Sequence, residues 1–160
     1  MQPKYPDFRR YDLMNKYMKL AADEAKAGIS AGHGGPFGCV IVKNGTVIGS
    51  GHNEVLKRKD PTCHGEMMAI RDACRRLGSH DLSDCELYTT AEPCPMCAGA
   101  ILWSNIKIVY YGCSVEDTDG IGFRDKKFYE QGAAVSKQID RDECMKIFAE
   151  YNAITDKELY

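Results

Sequence analysis

Apolar and polar positions alternate with two different periods along the chain, and each period predicts an element. Residues 7–27 carry a stripe at helical spacing, Met14, Met18, Ala21 and Ala25 with Tyr11 and Ala22 beside it, and Gly28 marks its end. Residues 39–42 and 46–50 are short apolar runs around Asn44-Gly45. That pair is a strong hairpin signal, because both central residues of a type I′ turn need positive φ. Residues 54–60 are polar, and the run Lys57-Arg58-Lys59 reads as a solvated loop. Pro61-Thr62 then open a helix that holds Cys63-His64-Gly65-Glu66 in its first turns. Met67, Ala69, Ile70, Ala73, Cys74 and Leu77 give it buried faces, and Gly78 ends it. Residues 85–90 read as a buried strand. A second helix starts at Pro93, a residue well suited to a helix start, and continues through the apolar body 98–103. Residues 106–111 are another strand.

Beyond Gly112 the periodicity loosens. Residues 114–125, SVEDTDGIGFRD, lack the spacing of a calcium loop and read as an ordered loop walling a pocket. Residues 126–131 predict a short helix and 135–139 a last strand. Asp140 with Glu143 predicts a capping box for a helix carrying Cys144, Met145, Ile147 and Phe148. A hairpin plus helix crossovers predicts an α/β fold in three layers, with helices flanking a mixed central sheet of five strands. No repeat or linker interrupts it, so residues 1–160 are expected to form a single domain.

Composition narrows the partners. The chain has 160 residues, enough for one sizeable core. Twenty-one basic against 23 acidic residues give a net charge of −2, so no excess positive charge is available to hold a nucleic acid. The N-terminal stretch is too charged for the apolar region of a signal peptide, and no apolar run suggests a membrane span. Eight cysteines without a secretion signal predict reduced thiols in a cytoplasmic protein, two of them on metal.

The candidate chemistry lies in two short stretches. Cys63-His64-Gly65-Glu66 and Pro93-Cys94-Pro95-Met96-Cys97 together offer one imidazole and two thiols, with 27 residues between Glu66 and Cys94. Catalytic zinc takes three protein ligands and keeps a fourth position for water. His64, Cys94 and Cys97 are therefore the expected ligands of one Zn2+ per subunit. Glu66, two residues past the histidine, is placed to move protons, and H-x-E followed by P-C-x-x-C is a signature of zinc nucleobase deaminases. A lone C-x-x-C would fit a redox pair equally well, and a structural zinc site would need a fourth ligand such as Cys63, Cys113 or His52. His52 itself reads more simply as a packed strand-end histidine. The expected reaction is hydrolytic. Zinc acidifies a water, and Glu66 relays its proton to a ring nitrogen and then to the departing amine. The backbone N–H of Gly65 or Cys94 steadies the developing charge. The glycine-rich stretch before residue 39 does not follow a strand, so a phosphate-binding loop is not expected. It can bring backbone close to a ligand, with Phe37 adding an aromatic face. Asn53 can both donate to and accept from the edge of a heterocycle.

Beyond these residues the chain resembles the cytidine deaminase superfamily, and within it the branch of bacterial guanine deaminases and other nucleobase deaminases. The resemblance rests on GGPFG (34–38), GHN (51–53), DPT-x-HGE (60–66), LYTTAEPCPMC-x-GAI-x-W (87–103), IGFRD (121–125) and the terminal tyrosine. It implies a cytidine-deaminase-like fold acting on a small nucleobase, guanine giving xanthine and ammonia. Phe37 would stack on the base, Asn53 would hydrogen-bond it, Trp103 would floor the pocket, and Asp125 would accept from guanine's N–H edge. It also implies a homodimer with a swapped C-terminal segment, in which Tyr160 closes the partner's site. The chain departs from the family pattern at Gly65, commonly alanine, and at Arg124, often acidic. Cytosine and tRNA adenosine are the rival substrates within the superfamily. A zinc-stabilised binding module is the rival of another class, and it gives Glu66 no use.

Overall fold

The computed structural model describes residues 14–132, 134 and 136–158. Four strands form one sheet, β1 (Gly38–Lys43), β2 (Thr46–His52), β3 (Cys85–Ala91) and β4 (Ile108–Cys113), in the order β2-β1-β3-β4. β1 runs antiparallel to both β2 and β3, and β3 runs parallel to β4. The sheet is mixed, as expected, but among the described residues it has four strands and not five. Residues 136–139 are irregular, and residue 135 lies outside the described residues. An isolated apolar run has no ladder to join unless an edge is brought to it.

Alternation along β1 creates the layers. Cys39 and Ile41 face one side and pack with Leu87, Ala69, Ala73, Leu82, Ile101 and Ile106. Val40 and Val42 face the other and pack with Ala21 and Tyr88. The first side is covered by α3 (Gly65–Leu77) and α4 (Pro95–Trp103), the second by α1 (Lys16–Ser30). Asn44 and Gly45 take the positive φ values, 49° and 79°, that their hairpin turn requires.

Several boundaries moved. α1 starts at Lys16 because the Asn15 side chain accepts from the N–H groups of Tyr17 and Met18, and it runs two residues past Gly28. Met14 precedes it, and residues 7–13 lie outside the described residues. Residues 54–60 are not a plain loop, since α2 (Val55–Arg58) forms a turn of helix there. The expected loop 114–125 contains α5 (Val115–Gly120), started by a capping box in which Ser114 and Asp117 cap each other's backbone. α6 (Asp125–Gln131) begins one residue early. α7 (Arg141–Asn152) forms, but Asp140 makes no side-chain cap, so the predicted box with Glu143 is absent. α7 also buries none of its residues. All eight cysteines are free thiols. Among the described residues no helix is long and apolar enough to cross a membrane.

Candidate active site

Two helix starts converge at the site. The chain leaves the loop before α3 with His64 at the N-cap, its backbone extended, and leaves β3 with Cys94 at the N-cap of α4. Both helices start later than the sequence pattern predicts. Pro95, and not Pro93, takes the first helical position of α4. Neither cap side chain bonds the helix it starts. The imidazole and the thiol are thus left to face each other, and Cys97, one turn into α4 and fully buried, joins them.

The donor atoms of His64, Cys94 and Cys97 lie within 4.8 Å of one another. Zinc bound at about 2.0–2.1 Å to an imidazole nitrogen and about 2.3 Å to a thiolate, at a tetrahedral angle, sets those two atoms about 3.6 Å apart. His64 Nδ1 and Cys94 Sγ are 3.6 Å apart. The three donors therefore fit a zinc ion in spacing and in chemical type. The protonation pattern agrees. The Cys97 thiol beside it holds Cys94 down to about 4, against the opposing effect of burial and with help from His64. Cys97, sharing its proton with that sulfur, is pushed up. His64 is raised, first by its contact with Cys94. A cation bound there would favour the thiolate form of both cysteines.

Glu66, at the second position of α3, is 5% exposed. Thr89 on β3 donates to its Oε1 at 2.9 Å. Burial pushes the Glu66 carboxyl up, and the Thr89 hydroxyl partly opposes that. A carboxyl whose pKa is raised in a cavity wall is suited to taking up and giving back protons.

His64, Glu66 and Cys94 open into a cavity of about 610 Å³, whose walls also include Phe37, Asn53 and Asp125. Four of the expected base-contacting and catalytic positions, Phe37, Asn53, Glu66 and Asp125, thus meet around one space with His64 and Cys94. Phe37 stands edge-on to Phe123, ring centres 4.8 Å apart. Asn53 is buried, and its amide oxygen accepts from the Val55 N–H at 3.1 Å, which orients the carboxamide. Gly34 allows this approach, because a Cβ there would stand 2.0 Å from that oxygen. Asp125 is the first residue of α6, whose N-cap is Arg124, so it is not the N-cap itself. Burial raises its pKa, and the charge of Cys94 adds to this while His64 opposes it.

Two expected positions come out differently, and a third lies outside the described residues. Trp103 ends α4 with 69% of its surface exposed and does not line the cavity. Its place in the apolar run 98–103 suggested burial, but the helix turns only Ile101 into the core. Gly65 is absent from the cavity wall too. A Cβ there would meet the Phe37 carbonyl at 3.1 Å, so it packs the start of α3 against the entry to β1. Tyr160 lies outside the described residues. One residue was missed. Tyr129 on α6 donates its hydroxyl to the Pro93 carbonyl, tying the helix that carries Asp125 to the loop that carries Cys94. Only its aromatic character in a short helix hinted at this.

The model of the cytidine and deoxycytidylate deaminase zinc-binding region matches residues 12–113. The chain belongs to this deaminase family. It is a zinc-dependent deaminase. Among its relatives, the guanine deaminase of Bacillus subtilis (strain 168) is 49% identical over 115 residues, 72% of this chain and 74% of that protein. The tRNA-specific adenosine deaminase of Aquifex aeolicus (strain VF5) is 44% identical over 105 residues, 66% of this chain and 69% of its own. The X-ray structure of the Bacillus subtilis guanine deaminase superposes with a TM-score of 0.85 at 41% identity, covering 92% of this chain and 99% of that one.

Proposed function

We propose that this deaminase hydrolyses guanine to xanthine and ammonia, with His64, Cys94 and Cys97 holding the zinc. The observation that carries the choice of base is Asp125. It lines the cavity, and its carboxylate offers acceptors to the N–H edge of guanine. The likeness to the Bacillus subtilis guanine deaminase supports the same reading.

Zinc bound at the three donors supplies an acidified water. The chain's residues do the rest. Phe37 presents a ring face to the flat base, and the Asn53 carboxamide, fixed by Val55, hydrogen-bonds its edge. Glu66 takes a proton from the attacking water and gives it to the ring nitrogen beside C2. Glu66 then takes the second proton from the new C2 hydroxyl and passes it to the amine as the C2–N bond breaks, and the amine leaves as ammonia. One water is consumed, and Glu66 ends as it began.

The reading extends to a cytoplasmic homodimer of single-domain subunits with a swapped C-terminal segment, the partner subunit's Tyr160 closing each site. Its support is the surface that one chain leaves exposed. Ile147 and Phe148 of α7 are 63% and 67% exposed, and Leu102 and Trp103 are 74% and 69% exposed. The outer edge of β4 has no strand partner among the described residues, and its Tyr110 and Tyr111 are half exposed. Exposed apolar area of this kind marks an interface.

The test offers zinc-loaded protein guanine, cytosine, adenine, guanosine and cytidine, and reads ammonia release. Brisk release from guanine is expected. No ammonia from guanine alongside brisk release from cytosine would overturn the choice of base.

A further inference from the structure

A second cluster of metal-ligating side chains, His33, His52 and Glu54, has no part in the deamination chemistry. We propose that it is a second divalent-cation site, built from two imidazoles and one carboxylate. The Nδ1 of His33 and the Nε2 of His52 face each other at 2.8 Å, and Glu54 Oε1 is 3.8 Å from the same His52 nitrogen. All three donor atoms lie within 4.8 Å of one another. Zinc or a similar ion sets two imidazole nitrogens about 3.3 Å apart. One short separation therefore opens by roughly half an ångström, and one long separation closes by as much.

The supporting shell is an independent observation. His52 Nδ1 is 2.9 Å from Glu24 Oε2 on α1. A carboxylate there keeps the proton on Nδ1 and turns the lone pair of Nε2 toward His33. Metal-binding histidines are oriented by carboxylates in this way. The ring is also locked in place. Its side chain is 15% exposed, and it packs so closely on Gly28 that a Cβ there would lie 2.7 Å from Cδ2.

Glu54 can serve the ion without losing its main anchor. Arg58 holds Oε2, while Oε1 is bonded by Lys57 at 3.2 Å. The Lys57 side chain is 46% exposed and can withdraw into solvent. His52 and Glu54 also line a second cavity, of about 500 Å³, from which water can complete the coordination. With nitrogen and oxygen donors and no thiolate, the site suits Zn2+, Ni2+ or Co2+. Without an ion, the same groups form a hydrogen-bonded relay that pins the turn after α1 against the end of β2.

Cobalt separates the two centres. Charge-transfer absorption from thiolate to Co2+ reports only the centre containing Cys94 and Cys97, whereas elemental analysis counts every bound ion. Metal-stripped full-length protein at micromolar concentration is titrated with Co2+. The proposal expects two ions per chain, with the charge-transfer band complete after the first. His33→Ala, at a partly exposed turn, is expected to bind one ion and keep the band at full strength, and His52→Gln should do the same. A single ion per chain in the wild type would overturn the proposal without reference to any variant. Two ions retained in His33→Ala and in His52→Gln would overturn it as well, because the second ion would then lie elsewhere.

Discussion

The molecule holds two three-residue donor clusters, and they differ in what surrounds the donors. His64, Cys94 and Cys97 sit where two helices start, beside a carboxyl with only a threonine hydroxyl as side-chain oxygen partner, at the wall of a cavity large enough for a purine. His33, His52 and Glu54 sit at the end of β2, where Glu24, Lys57 and Arg58 already engage two of the three side chains. Arg58, Arg71, Arg75 and Arg76 line the adjoining cavity, with Glu54 and Asp72 pairing three of them. The first arrangement leaves a proton carrier unneutralised next to space for substrate. The second neutralises its charges and leaves no acid to move protons. Ligand type alone does not separate a reactive centre from a structural one; a carboxyl paired with no cation and the room beside it do.

Because of that difference, Glu66→Gln has the largest effect. Turnover is expected to fall by about 10²–10⁴-fold or more, with bound zinc per chain unchanged. Loss of zinc in the variant, or near-normal turnover, would remove Glu66 from its role. Asp125→Asn comes next, because it removes a charged acceptor from the base. A charged hydrogen bond contributes about 1.5–3 kcal/mol, so kcat/KM on guanine should fall by roughly 10–100-fold. Zinc content should stay at the wild-type level, and an unchanged kcat/KM would put Asp125 outside the recognition of the base.

Thr89→Val is expected to act through Glu66 and to cost about tenfold, the low end for a hydrogen bond to a charged group. The sign is definite. Burial already raises the Glu66 pKa, so the acid limb of kcat/KM should lie above the ordinary glutamate value of about 4.3. Thr89 donates to the charged form, so removing it should move that limb to still higher pH. A limb that stays in place would separate the two residues.

The smallest effect belongs to the charged neighbourhood of the second cluster. Burial pushes the Asp72 carboxyl up, but hydrogen bonds from Arg75, the Ser50 N–H and Arg76 outweigh it and leave its pKa below the usual carboxylate value. A depressed carboxylate contributes stability above its unfolded pKa of about 3.9 and loses it as pH falls further. Tm should therefore drop more steeply between about pH 5 and 3 in the wild type than in Asp72→Asn. Parallel curves would show that the ion pairs of Asp72 add nothing.

The zinc centre was legible in the sequence because its ligands are local to two motifs, each at a helix start with little freedom in register. The hairpin was legible because Asn44-Gly45 is chemically specific. α5 had a visible signal, Ser114 three residues before Asp117, that the acidic and glycine-rich composition masked. α2 is four residues long, too short for periodicity to register. The expected burial of Trp103 and strand at 136–139 failed for a different reason. Their environment depends on what lies against α4 and β4, and a one-dimensional pattern does not encode that. The pairing of His33 with His52 was equally hidden, since nineteen residues of chain must fold before the two rings meet.

Guanine incubated with the zinc-loaded protein in water labelled with heavy oxygen tests the central claim most directly. One ammonia should appear for each xanthine, and each xanthine should carry one heavy oxygen, at C2. Unchanged guanine, or xanthine without the label, would contradict hydrolysis at this site.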